Sequence, residues 1–225
     1  MDRTDTKFVF NACLLPSVLE EIKNNYRVVR VEEKCISRYK TLYFDTPNFD
    51  FYHAHHNEKL NRYKVRHRTY VESRVSFLEV KFKNNKGQTI KTRISDKALP
   101  DINNSTSFSF LESTLPFHPL NLAPKIQINY DRITLINKTD KEKLTLDLSL
   151  KFEADGQTKS MNQLVIAEVK QNKKRQSPFR SIMREKHIQE IAISKYCIGV
   201  ASLVPNVKTN LFKEKLSIIT QLLEL

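Results

Sequence analysis

The stretch RYKVRHRTYVESRVSFLEVKFKNNKGQTIKTRI, residues 62–94, carries ten Lys or Arg against two Glu and yet alternates like β-strand. Successive strand side chains point to opposite faces, so position parity sorts them. Arg62, Lys64, Arg66 and Arg68 share one face, and Tyr63, Val65 and His67 the other. In the next run Phe77, Glu79, Lys81 and Lys83 oppose Leu78, Val80 and Phe82, and then Lys91 and Arg93 oppose Ile90 and Ile94. The same division recurs in Asp5 and Lys7 against Phe8 and Phe10, in Lys143, Thr145 and Asp147 against Leu144, Leu146 and Leu148, and in Glu168 and Lys170 against Ala167 and Val169.

Two architectures fit this pattern. In the ordinary one the ionic faces are solvated and the apolar faces make a core. Like charges two residues apart on a strand then lie about 7 Å apart and repel by about 0.6 kcal/mol at the dielectric of water, against about 2.4 kcal/mol at an effective value of 20. Exposed strands, however, usually mix Thr, Ser, Gln and both charge signs. Here Arg and Lys recur at consecutive same-face positions, and a carboxylate stands two residues before a lysine in Glu79-Val80-Lys81, Glu168-Val169-Lys170 and Asp5-Thr6-Lys7. In the second architecture the strands close into a barrel with the ionic faces inward and the apolar faces covered by helices. Such a lumen repels itself unless a polyanion and a divalent cation occupy it.

The rest of the chain sets bounds. Its 225 residues, 40% of them hydrophobic, suffice for one compact domain, and a formal charge of +13 points to a polyanionic partner. Cys13, Cys35 and Cys197 form no CxxC pair and suggest neither a disulfide framework nor a zinc site, which fits a reducing compartment. No leader-like segment and no apolar run of about 20 residues is visible, so a cytoplasmic protein without its own membrane segment is expected. With only Gly87, Gly156 and Gly199 present, a GxGxxG or P-loop phosphate cradle is excluded, and side chains must hold any phosphate.

Strands are expected at about 4–10, 37–45, 61–71, 75–83, 88–94, 125–136, 142–151 and 162–170, with turns at 84–87 and 154–157. Short helices are expected at about 16–25 and after the turn signal Asp45-Thr46-Pro47-Asn48. A looser stretch covers 96–123, and helical periodicity marks SPFRSIMREKHIQEI (177–191) and NLFKEKLSIITQLLEL (210–225). The class is α+β, mainly antiparallel β with helices at the edges and end, and the long alternating strands suggest a closed or nearly closed sheet.

YFDTP (43–47), NRYKVRHRTY (61–70), FLEVKFK (77–83), Lys91 with Arg93, Tyr130-x-Arg132, LTLD (144–147), AEVK (167–170) and SKYCIG (194–199) together resemble, in order, the VTC domain of polyphosphate polymerases. That family lies within the triphosphate tunnel metalloenzymes, with the CYTH-type triphosphatases and adenylate cyclases. The resemblance covers almost the whole chain and implies a single domain over residues 1–225, an antiparallel β-barrel tunnel with a charged lumen and helices packed outside and at the C-terminus, the charged face inward. It implies that Arg66, Arg68, Lys64 and Arg62 grip phosphate oxygens, joined by Lys7, Lys83, Lys91, Arg93 and Lys170. It further implies catalytic roles for Lys81, Arg132, Glu168 and Lys195, and a Mn²⁺ or Mg²⁺ ion on Glu168 with Glu79 and Asp147 as helpers.

The implied substrates are ATP with inorganic polyphosphate or triphosphate. The γ-phosphoryl group would pass to a growing phosphate chain, a reaction that needs charge neutralisation and in-line positioning more than acid or base. A tunnel triphosphatase using water, or a non-catalytic polyphosphate or nucleic-acid binding module, would use many of the same residues. No nucleic acid is expected, because Tyr63 and the cations of its strand face opposite ways. Asp5 stands where the family commonly carries glutamate, and Ala192 where its eukaryotic members carry a lysine. Any coupling to transport would need a membrane-protein partner. His53, His55 and His56 do not converge like an i, i+4 pair, and a surface role is expected for them.

Overall fold

The computed structural model describes residues 4–96, 102, 104–172 and 176–224. Its strands are β1 (Thr4–Asn11), β2 (Tyr26–Val28), β3 (Ile36–Asp45), β4 (Arg62–Tyr70), β5 (Val75–Lys83), β6 (Thr89–Ser95), β7 (Ala123–Asn137), β8 (Glu142–Ala154), β9 (Gln157–Met161) and β10 (Leu164–Gln171). Its α-helices are α1 (Leu15–Ile22), α2 (Asp50–His56), α3 (Ser105–Thr114), α4 (Pro178–Glu185), α5 (Lys195–Leu203) and α6 (Lys213–Leu223). The expected strands appear within three residues of their predicted ends. The short β2 and β9 and the helix α5 had no periodicity strong enough to announce them. In the loose stretch α3 forms behind an Asn104 cap, whose side chain accepts the Ser107 N–H, while 97–101 and 103 lie outside the described residues.

All strands join one antiparallel sheet in the order β1-β10-β8-β7-β3-β4-β5-β6, with β2 beside β7 and β9 beside β8. Strands five places apart in a flat sheet lie about 24 Å from each other. Yet Lys81 on β5 lies within electrostatic reach of Glu168 and Lys170 on β10, and Lys7 on β1 within reach of Lys64 on β4. The sheet is therefore rolled into a tunnel. The roll is not sealed by hydrogen bonds: among the described residues, β1 and β6 each have one neighbour along the path. This departs from a closed barrel, and the exposed, lysine- and arginine-bearing β6 discourages pairing along that edge.

The opening sequence is answered by burial. On β4 Val65 is 0% exposed and Arg66 only 7%, so both faces of the strand are covered. Outside, Val65, Leu78 and Val80 pack against Leu111 and Leu115 of the α3 region. Phe8, Phe10, Leu144, Leu146 and Ala167 pack against Val18 and Ile22 of α1 and Phe179 and Met183 of α4. Each valine, leucine, isoleucine, phenylalanine or methionine among them contributes about 1.5–3 kcal/mol on full burial.

The concave face is not ionic along its whole length. Ile166 shares a strand face with Glu168 and Lys170, but it joins Ile126, Phe152, Tyr196, Val200 and Ile219 in a third core. Helices α5 and α6 thus fill one end of the rolled sheet. At Gly199 of α5 a Cβ would lie 2.6 Å from both Ile126 Cδ1 and Phe152 Cδ1, so glycine permits the helix to sit this deep.

Candidate functional site

Three carboxylates, each held between two cations, organise the concave face. The fully buried Glu79 accepts from Arg66 Nε at 2.7 Å and pairs on its other oxygen with Lys91. Asp147 accepts from Arg132 Nη2 at 2.7 Å and also from the Lys195 ammonium of α5. Glu168 lies 2.9 Å from Lys170 Nζ and 4.0 Å from Lys7 Nζ. Lys7 additionally donates to the Ile193 carbonyl at 2.9 Å, and Lys64 to Ser194 Oγ at 3.0 Å. Lys81 has no ion pair among the described residues.

The electrostatics follow from this crowding. Burial opposes the charge of Glu168, but Lys170 and Lys7 outweigh it and hold the carboxyl down at about 2. Burial likewise opposes Glu79, and Arg66, Arg68 and Lys91 outweigh it, giving about 2. Asp147 is held further down, against burial, by Lys195 and Arg132. Lys81 moves the other way: Arg66 first, then burial, Lys170 and Arg68 push its ammonium from 10.5 down to about 6, against the pull of Glu168. Burial, Lys64, Lys195 and Lys170 also depress Lys7. The lumen thus holds more positive charge than its own carboxylates neutralise.

Aromatic side chains fix the cations. Tyr39 and Tyr130 stack with centroids 5.1 Å apart, and Arg132 lies 4.9 Å from the Tyr39 centroid and Lys195 4.9 Å from that of Tyr130. Tyr43 OH accepts from Arg66 Nη1 at 3.2 Å. The position of Lys195 follows from two anchors. Ser194 caps α5, and Asp45 accepts the Phe51 and Tyr52 N–H groups at 2.9 Å while also accepting the Tyr196 hydroxyl, tying α2 to α5. The positive end of α5 faces the lumen, adding to its potential.

The structure brings together Lys7, Lys64, Arg66, Arg68, Glu79, Lys81, Lys91, Arg132, Asp147, Glu168, Lys170 and Lys195. Arg93 is exposed and lies 4.2 Å over the Phe77 ring, while Arg62 and Lys83 occupy the far end of the β4–β5 pair. Tyr39, Tyr43 and Tyr130 are not legible as lumen residues from ionic alternation, although the parity of Tyr39, Thr41 and Tyr43 opposite Tyr70, Arg68 and Arg66 carries that signal, whereas Thr145 lies on the face expected for it. The histidine run is not a solvated surface: His56 is 2% exposed and its Nε2 accepts the Leu211 N–H at 3.3 Å.

For a divalent cation, no three His, Cys, Asp or Glu gather among the described residues, so the chain alone builds no cage. Glu79 and Asp147 are each taken up by two cations. Glu168 is less tightly engaged, and opposite it on β8 stands Thr145, whose buried hydroxyl has no hydrogen-bond partner. One carboxylate and a free oxygen, completed by phosphate oxygens, suit the hard, oxygen-seeking Mg²⁺ or Mn²⁺.

A family model described as the VTC domain matches residues 2–204. Among solved structures, a Bacillus halodurans protein described as a candidate adenylate cyclase aligns with a TM-score of 0.50 and 12% identity, covering 87% of this chain and 96% of its own. A Hippeastrum candidate adenylyl cyclase, described as revealing a dominant triphosphatase activity, aligns with a TM-score of 0.52 and 14% identity, covering 91% and 98%. These likenesses show a common tunnel fold. None of the curated proteins searched matches the sequence.

Proposed function

The chain belongs to the VTC domain family, and from that premise we propose that it acts as a single-domain, metal-dependent phosphotransferase, passing the γ-phosphoryl group of ATP to an inorganic polyphosphate chain held in the tunnel. The observation that supports this reading is the convergence of cations from β1, β4, β5, β10 and α5 on the concave face of the rolled sheet, where Lys7, Lys64, Lys81, Lys170 and Lys195 act on a shared set of charged neighbours. A phosphate chain carries the charge that these cations suit.

Arg66 and Arg68, held by Glu79, Tyr43 and Thr41, present their remaining N–H groups to phosphate oxygens. Arg132 and Lys195, locked on Asp147, place positive charge on the opposite wall, where charge builds on the transferring group. Lys81, neutral for much of the time in the empty tunnel, takes a proton from water as phosphate charge enters. A bound Mn²⁺ or Mg²⁺ supplies neutralisation of the phosphate oxygens, and Glu168 is the residue that would hold it. A terminal oxygen of the polyphosphate attacks the γ-phosphorus as the bond to ADP breaks, and prealignment of the two supplies most of the catalysis.

A second reading, hydrolysis of triphosphate by water in the same space, is favoured by the triphosphatase activity described for the Hippeastrum protein. Incubation with ATP and Mn²⁺, with and without a short polyphosphate primer, separates the two on a gel. Lengthening chains support transfer. Free phosphate with no chain growth supports hydrolysis, and neither product refutes an enzymatic role.

A further inference from the structure

Where α2 meets the Arg62 end of β4, two polar atoms are buried without a partner: His55 Nε2 and Arg62 Nε. The Arg62 guanidinium is otherwise anchored, its Nη1 donating to the Lys59 carbonyl at 3.0 Å. A buried polar atom left unpaired costs about 1–3 kcal/mol, so a group able to satisfy both atoms would be favoured here. The surroundings define its sign. Burial first, then Lys64 and Arg62 on β4 and Lys83 on β5, oppose a charge on His55, while the Tyr63 carbonyl favours one; together they hold the ring down at about 2. The imidazole is therefore neutral as the chain stands, and Lys64, Arg62 and Lys83 make its surroundings cationic.

Resting on the reading of the tunnel as a polyphosphate site, we propose that His55 and Arg62 form a phosphate subsite at this end, where the imidazole gains a proton from water as a phosphate group enters. A phosphate oxygen accepts from Arg62 Nε–H and, once the ring is charged, from His55 Nε2–H, so both orphaned atoms are satisfied by one group. The incoming anion offsets the field of Lys64, Arg62 and Lys83, which adds to burial in keeping the ring neutral, and supplies an acceptor that favours the charged ring. Phosphate binding here is thus coupled to proton uptake.

Tripolyphosphate binding to the full chain and to His55→Gln, measured calorimetrically at pH 6 and pH 8 in two buffers of different ionisation heat, tests this. Lys81 and the titration of tripolyphosphate itself contribute to both proteins and cancel in the comparison. The unaltered chain is expected to take up more protons at pH 6, by up to one per molecule bound, and to bind about tenfold more tightly than the variant. At pH 8 the two should agree within about twofold. Equal proton uptake and equal affinity at pH 6 overturn the subsite while leaving the tunnel reading intact. An unaltered chain that binds no tripolyphosphate overturns both. Should His55→Gln fail to fold, ¹⁵N-imidazole shifts of the unaltered chain decide: a histidine turning from neutral to charged on adding tripolyphosphate at pH 6 supports the subsite, and none doing so refutes it.

Discussion

Replacing Lys81 by methionine should make the empty protein more stable and the occupied one less so. The side chain loses one terminal atom and with it a charge that the folded state resists, since Arg66, burial, Lys170 and Arg68 hold the ammonium at about 6 instead of 10.5. Between those two values the unfolded chain binds more protons than the folded one, so stability rises with pH and the penalty on folding is largest at low pH. Each pH unit in that window is worth about 1.4 kcal/mol, which sets a ceiling of about 5 kcal/mol at pH 7. Relaxation of a flexible lysine and a realistic effective dielectric reduce this to about 2 kcal/mol, equivalent to a rise of about 4–8 °C in Tm for a chain of this size. Thermal denaturation from pH 6 to pH 10, with and without tripolyphosphate, checks the sign twice. Lys81→Met should melt higher at pH 7, the advantage should fade toward pH 10, and tripolyphosphate should raise its Tm by less than that of the parent. A variant that melts lower at pH 7 and keeps the full ligand shift refutes the placement of Lys81 among unneutralised cations.

Glu168→Gln should lower Mn²⁺-dependent turnover of ATP at least about 100-fold while changing tripolyphosphate affinity less than about threefold; unaltered turnover removes Glu168 from the metal site. Gly199→Ala should lower Tm by about 5 °C, because a methyl group 2.6 Å from Ile126 and Phe152 must push α5 off the sheet; an unchanged melting curve contradicts the close approach. Acid should act through Glu79 and Glu168, both held at about 2 from 4.5. Their depressed folded values stabilise the protein above pH 4.5 and lose that effect as pH falls toward 2, so the urea midpoint should drop between pH 5 and pH 3, and a flat midpoint would count against the ion-pair hubs.

Much of this arrangement is legible in the chain because strand parity is a local signal. Arg66 and Arg68 alternate with Val65 and His67 whatever lies elsewhere, and the acid-x-lysine repeats name Glu79, Lys81, Glu168 and Lys170 without knowledge of topology. What escaped depends on contacts distant in sequence. Tyr39 and Tyr130 carry no ionic alternation and become lumen residues only when β3 pairs with β4 and β7. The filling of one tunnel end by α5 and α6 rests on a single glycine meeting residues from β7 and β8. The open seam between β1 and β6 reflects how far the sheet curls, a sum of twists along many strands that no one segment encodes. The histidines of α2 look polar and exposed in sequence, and only the return of residues 210–212 over the helix buries His56.

A sheet whose two sides serve different solvents constrains how its gene can drift. Inserting one residue in the middle of β4 would swing Arg66 and Arg68 toward the greasy underside of α3 and send valine into the tunnel. Length changes inside these strands are thus survivable only in even steps or where a bulge absorbs the offset, as between Asn129 and Asp131. Relatives of this chain should vary freely in their turns and hardly at all in the count of residues between them.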